Sequence, residues 1–143
     1  MSTISGYAVF CEDIREEKSG GNTIVGVMRD NLSVPPLPQS IPKLGIFARI
    51  YFPLERPALR ADIYMNTSSG ERNQIASLEP AYIEGAIKAA RIENSPSAGI
   101  IASIIFAPFE FKKPGRISVE LEYDGEVSVL GWITIKEGAP QPS

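Results

Sequence analysis

RISVELEYDGEVSVLGWITI, residues 116–135, decides how the chain folds. Ile117, Val119, Leu121 and Tyr123 alternate with Arg116, Ser118, Glu120 and Glu122. That is the period-two pattern of a strand with one face in water. Asp124-Gly125 then supplies a two-residue hairpin turn that tolerates positive φ, and VSVLGWITI returns as the partner strand. Val129, Gly131, Ile133 and Ile135 share one parity and Trp132 the other. Plain alternation turns Trp132 to solvent, whereas a bulge at Gly131 would return it to the core. The residues alone leave both placements open.

The same period recurs upstream. In LGIFARIYF (44–52), Leu44, Ile46, Ala48, Ile50 and Phe52 oppose Phe47, Arg49 and Tyr51, and Pro53 and Pro57 close the strand. ALRADIYMN (58–66) sets Leu59, Ala61, Ile63 and Met65 inward and Arg60, Asp62 and Tyr64 outward. TSSGER reads as a turn and NQIASLE as a further short strand. AGIIASIIFAP (98–108), the most apolar run, is about half of a bilayer span and reads as a buried strand. Only EPAYIEGAIKAARIEN (79–94) breaks the pattern. There Ile83, Ile87 and Ala90 recur at helical spacing, Pro80 suits the first turn, and Gly85 costs about 1 kcal/mol relative to alanine. LSVPPLPQSIPK (32–43) holds four prolines and reads as an extended loop joining the two sheets, with a proline-recognition ligand as the sharper alternative.

These segments predict one mainly all-β domain over residues 1–137 and a flexible tail over 138–143. Its fold class is an antiparallel immunoglobulin-like or C2-like β-sandwich of seven or eight strands with one short connecting helix. A chain of 143 residues, 43% hydrophobic and 22% charged, is long enough to bury a core without staples. A net charge of −3 is too small for a nucleic-acid surface, and no secretory signal or membrane span is read, so a cytoplasmic setting is expected. One cysteine excludes an internal disulfide and fits a reducing compartment.

FCEDIREEKSGGNTIVGVM (10–28) gathers Glu12, Asp13, Glu16 and Glu17 beside Cys11. It reads as two strands and a turn. Tyr7, Val9 and Cys11 share one face of the first strand, Ile24, Val25, Val27 and Met28 lie in its partner, and Gly20-Gly21-Asn22 makes the turn. Asp13 and Arg15 share a face two residues apart and are assigned as a structural clamp ahead of a binding pair. The stretch also resembles the opening of a family of small bacterial and phage proteins of unknown function. Cys11, Asp13, Ile14, Arg15, Glu17, Gly21 and Gly26 match its pattern, and Pro42-Lys43-Leu44 and Pro114-Gly115 match more loosely. The resemblance implies a small β-sandwich from a bacterial or prophage context, virion-associated if phage-encoded, and it brings no established activity.

The absence of histidine removes Ser-His-Asp and Cys-His catalysis, and zinc sites of histidine and several cysteines fall with it. No phosphate-binding or dinucleotide loop occurs. Two weaker chemistries survive elimination. One is a carboxylate pair of Glu12 or Asp13 with Asp62; the other is calcium held by Asp30, Asp124 or Glu126. Lys112, Lys113 and Arg116 read as a solvated turn. No catalytic, metal or cofactor-binding residue and no cofactor is therefore assigned. The expected role is a non-enzymatic interaction or structural accessory module that binds a protein partner or self-associates, for instance as a homodimer, with no nucleic-acid or membrane partner. Tyr51, Tyr64 and Trp132 are its candidate interaction surface. Carbohydrate or small-ligand binding on those aromatics is the alternative, and a carboxylate hydrolase the second.

Overall fold

A computed structural model describes residues 4–138. The strands run β1 (Ser5–Glu16), β2 (Asn22–Val27), β3 (Asn31–Val34), β4 (Gln39–Ile41), β5 (Leu44–Phe52), β6 (Ala61–Asn66) and β7 (Arg72–Leu78). Helix α1 (Pro80–Ile92) follows, and then β8 (Ala98–Phe106), β9 (Phe109–Phe111), β10 (Gly115–Tyr123) and β11 (Glu126–Glu137). Two sheets face each other, one in the order β2-β1-β5-β8 and one in the order β3-β11-β10-β6-β7, with β4 and β9 as a small third sheet. The fold is an all-β sandwich with one helix. Of the tail expected over 138–143, all beyond Gly138 lies outside the described residues.

Alternation explains the layers. Ile117, Val119, Leu121 and Tyr123 of β10, Ala61, Ile63 and Met65 of β6, and Leu44, Ile46, Ala48, Ile50 and Phe52 of β5 are all buried in one core. Fully burying each large aliphatic or aromatic side chain contributes about 1.5–3 kcal/mol. The Phe52 and Tyr123 rings meet edge to face at 5.2 Å across the two sheets, and the Tyr123 hydroxyl donates to the Pro57 carbonyl at 2.6 Å. The hairpin turn has Asp124 at φ 52° and Gly125 at φ 74°, as a primed two-residue turn requires. Helix α1 carries the chain from the edge of one sheet to the edge of the other. It buries Ile83, Ile87 and Ala90 and ends with Asn94 at φ 56°, so that the Ser95 amide bonds the Ala90 carbonyl.

Four expectations are corrected. Eleven strands occur among the described residues instead of seven or eight, because the proline-rich stretch is more than a loop and contributes β3 and β4, the latter pairing with the short β9. Its prolines flank β3 and β4, where the missing amides break no ladder. One pairing, β3 with β11, is parallel. β8 is a strand but only alternately buried: it pairs with β5 alone and forms the edge of its sheet. The bulge in β11 falls at Leu130. Val119 faces Gly131 but Glu120 faces Val129, so Leu130 turns inward and Val129 turns out. Trp132 keeps its outward position.

Gly131 marks the corner where the sheets touch. A Cβ there would collide with the Ala8 carbonyl oxygen of β1. The glycine is needed for room, since its φ is not in the left-handed region.

Candidate functional site

The outward face of the five-stranded sheet is built in three cross-strand rows. Trp132, Ser118, Asn66 and Arg72 form the first. Val129, Glu120, Tyr64 and Gln74 form the second, and Val127, Glu122, Asp62 and Ser77 the third. With strands ~4.8 Å apart, each row is ~14 Å wide. The β11 lane is therefore apolar: Val127 is 54% exposed, Val129 57% and Trp132 46%. Beside it, β10 lays down an acidic lane.

Arginines hold both aromatic rings. The Arg72 guanidinium lies 3.7 Å from the Tyr64 ring centroid, and its Nη2 reaches Glu122 at 3.3 Å and Glu120 at 3.6 Å. Partial burial works against the Arg72 charge, but the two carboxylates outweigh it and raise the guanidinium pKa. Arg116 lies over Trp132 at 5.2 Å. Each such pair contributes about 0.5–1 kcal/mol at an exposed site and fixes ring orientation. The Asn66 amide donates to the Ser118 hydroxyl at 3.4 Å, linking the first row across β6 and β10. One oxygen of Asp62 is heavily engaged: Arg60, Gln74 and Ser77 all donate to its Oδ1, at 3.0, 3.3 and 2.9 Å.

Of the sequence-assigned residues, Tyr64 and Trp132 come together on this face. Tyr51 does not, because it projects from β5 on the far side of the sandwich, where Arg49 lies 5.6 Å from its ring. Asp13 and Arg15 do meet, at 3.6 Å, and Lys43 joins them at 3.6 Å from the other Asp13 oxygen. The Asp13 carboxylate also accepts from the Ile14 amide at 3.0 Å. Desolvation pulls the Asp13 carboxyl upward, but the Ile14 amide, Lys43 and Arg15 outweigh it and hold the group below the usual carboxylate range. The β1–β2 hairpin is thereby tied to the start of β5.

The remaining candidates are dispersed. Asp13 and Glu12 belong to one sheet and Asp62 to the other, so no carboxylate pair forms from them. Asp124 and Glu126 both pair with Arg56, and among the described residues no three carboxylate or thiol side chains cluster as metal ligands. Lys112 pairs with Glu71 at 3.3 Å beside a cleft of about 270 Å³ lined by Phe106, Phe109 and Phe111. Burial pushes the Cys11 thiol pKa up, the reverse of what a nucleophile needs. Sequence reasoning missed Lys43 and Arg72. Lys43 ends the proline-rich stretch read as a loop, whereas Arg72, which the sequence reads as part of the turn TSSGER, opens β7, a strand whose register across β6 is shifted by a bulge.

Fold and site together define a β-sandwich domain that displays an aromatic–arginine sheet face. The chain belongs to the family described as Family of unknown function (DUF6941), whose model matches residues 6–133. No curated protein matches it. No helix among the described residues is long and apolar enough to cross a membrane.

Proposed function

We propose that the chain is a non-enzymatic interaction module that offers the outward face of its five-stranded sheet to a protein partner. One observation carries the reading: Trp132 and Tyr64, each under an arginine, share a rigid face with exposed Val127 and Val129. Tryptophan, tyrosine and arginine are the residues in which interface binding energy concentrates. The adjoining Glu120–Arg72–Glu122 network supplies a polar rim that sets orientation more than affinity. The carbohydrate alternative is weaker, since a sugar stacks on a bare ring and both rings already have a guanidinium over one face. The resemblance of residues 10–28 to small bacterial and phage proteins supports a bacterial or prophage setting, in the cytoplasm or on a virion.

Trp132 is the single tryptophan, so its emission reads the face directly. Affinity capture from the native host is run with wild type, Trp132→Ala, Tyr64→Ala and, on the opposite face, Tyr51→Ala. The expected result is a partner retained by wild type and Tyr51→Ala, lost by the other two, and able to blue-shift the tryptophan emission. Retention by Trp132→Ala and Tyr64→Ala, with both folded, refutes the assignment. Binding on a glycan array that disappears in Trp132→Ala would instead establish the carbohydrate reading.

A further inference from the structure

Sheet edges expose unpaired amides and carbonyls, and monomeric proteins normally blunt them with charge, proline, bulges or short length. Of the four edges of the two large sheets, three are blunted. β2 carries Gly26 at φ 67°, β3 is four residues long, and β7 has a register shift and begins at Arg72. β8 has none of these devices. Its sequence AGIIASIIF contains no charge and no proline, and it stays in unbroken register with β5 over nine pairs. Helix α1 lies beside the first half, where Tyr82 and Ala86 line a hollow with Gly99, Ile100 and Ile101. Residues 102–106 make no other hydrogen-bonded pairing among the described residues.

We propose that this free half of β8 pairs antiparallel with itself in a second copy, about a two-fold axis at Ile104. The register matches small to large. Ala102 faces Phe106 of the second copy on the core side, Ser103 faces its Ile105 on the outward side, and Ile104 meets its own counterpart. An uncharged strand selects an uncharged one, and this strand is its own complement. The two four-stranded sheets become one of eight strands, closed by symmetry so that neither copy keeps an open β8 edge. Five paired residues span only ~17 Å. The contact is therefore smaller than a standard interface of ~1,600 Å², and a dimer that dissociates in the micromolar range or weaker is expected. This contact is independent of the Trp132 face, which lies on the other sheet.

The test is sedimentation velocity from low-micromolar to near-millimolar protein. Wild-type mass should rise toward that of a dimer with concentration. Ser103 is exposed and Ile105 is 41% exposed, so substitutions there leave the core intact. Ser103→Lys with Ile105→Lys places lysine against lysine twice across the axis and should weaken association at least tenfold. Ser103→Lys with Ile105→Glu places lysine against glutamate twice and should restore it. A wild type that stays monomeric throughout overturns the proposal without any variant. So does a Lys/Lys variant that dimerises as before, or a folded Lys/Glu variant that stays monomeric.

Discussion

Replacing Gly131 by alanine and Gly85 by alanine makes the same chemical change with opposite expected signs. At Gly131 the new methyl would run into the Ala8 carbonyl oxygen, with the Ala8 carbonyl carbon at 3.2 Å. Both obstacles are backbone atoms of Ala8 on β1, which is paired on both sides, so neither yields as a flexible side chain would. Overpacking of this kind costs about 1–3 kcal/mol, and a rigid backbone places Gly131→Ala in the upper half of that range. At Gly85 nothing lies within 4 Å of the added Cβ, and the residue is exposed within α1. Removing a helix glycine there should stabilise by about 0.5–1 kcal/mol.

For a domain of this size about 1 kcal/mol moves the melting temperature by roughly 3–4 °C. Calorimetry should therefore show Gly131→Ala melting about 6–10 °C lower and Gly85→Ala about 2–4 °C higher than wild type. Gly131 also neighbours Trp132, so the first variant should alter tryptophan emission in the native state and the second should leave it alone. A Gly131→Ala melt within a degree of wild type would mean that the sheets do not touch at this corner, and the placement of β1 against β11 would be wrong. Two shifts of the same sign would refute the reasoning as surely.

Asp13→Asn should lower the melting temperature at neutral pH, and so should Arg15→Ala; no change in either removes the clamp. The carboxyl is depressed in the fold, so its contribution is present above the unfolded value near pH 4 and is lost as pH falls through the lower folded value. A plot of stability against pH should accordingly be steeper below pH 4 for wild type than for Asp13→Asn. Cys11 is fully buried with its thiol pKa raised, so it should resist iodoacetamide in the native protein at pH 8 and react at a rate set by unfolding. Ile63→Ala, at a fully buried position between β10 and β7, should cost about 2–5 kcal/mol in a urea titration at unchanged slope.

What could be read directly from the sequence was whatever alternation alone determines. Ile117 to Tyr123 and Leu44 to Phe52 needed only a period of two to be placed, and Ile83, Ile87 and Ala90 only a period of 3.6. Where a strand gains a residue, the period stops being a guide. Val129 shares parity with Ile133 and Ile135, yet Leu130 enters the core in its place because the bulge resets the phase. The cause is tertiary: β11 must stay paired with β10 while β1 crosses close enough to touch Gly131. Apolar composition misled at β8 for a related reason. A run of isoleucines reads as buried on both faces, but edge or centre is decided by which strands lie alongside, and that is not written in the strand itself.

The candidate face fails to show in the sequence by the same logic. Tyr51 and Tyr64 are close along the chain, yet β5 and β6 enter different sheets and the two rings end on opposite sides of the molecule. Tyr64 and Trp132 are far apart along the chain and come to share one face because β10 pairs with both β6 and β11. β10 supplies no aromatic to the face. It supplies Ser118, which bonds Asn66, and Glu120 and Glu122, which in sequence look like ordinary solvent-facing filler yet hold Arg72 over the Tyr64 ring. The polar half of an alternating strand is thus where the surface chemistry of this sandwich is arranged. A residue there becomes informative only once its cross-strand partner is known.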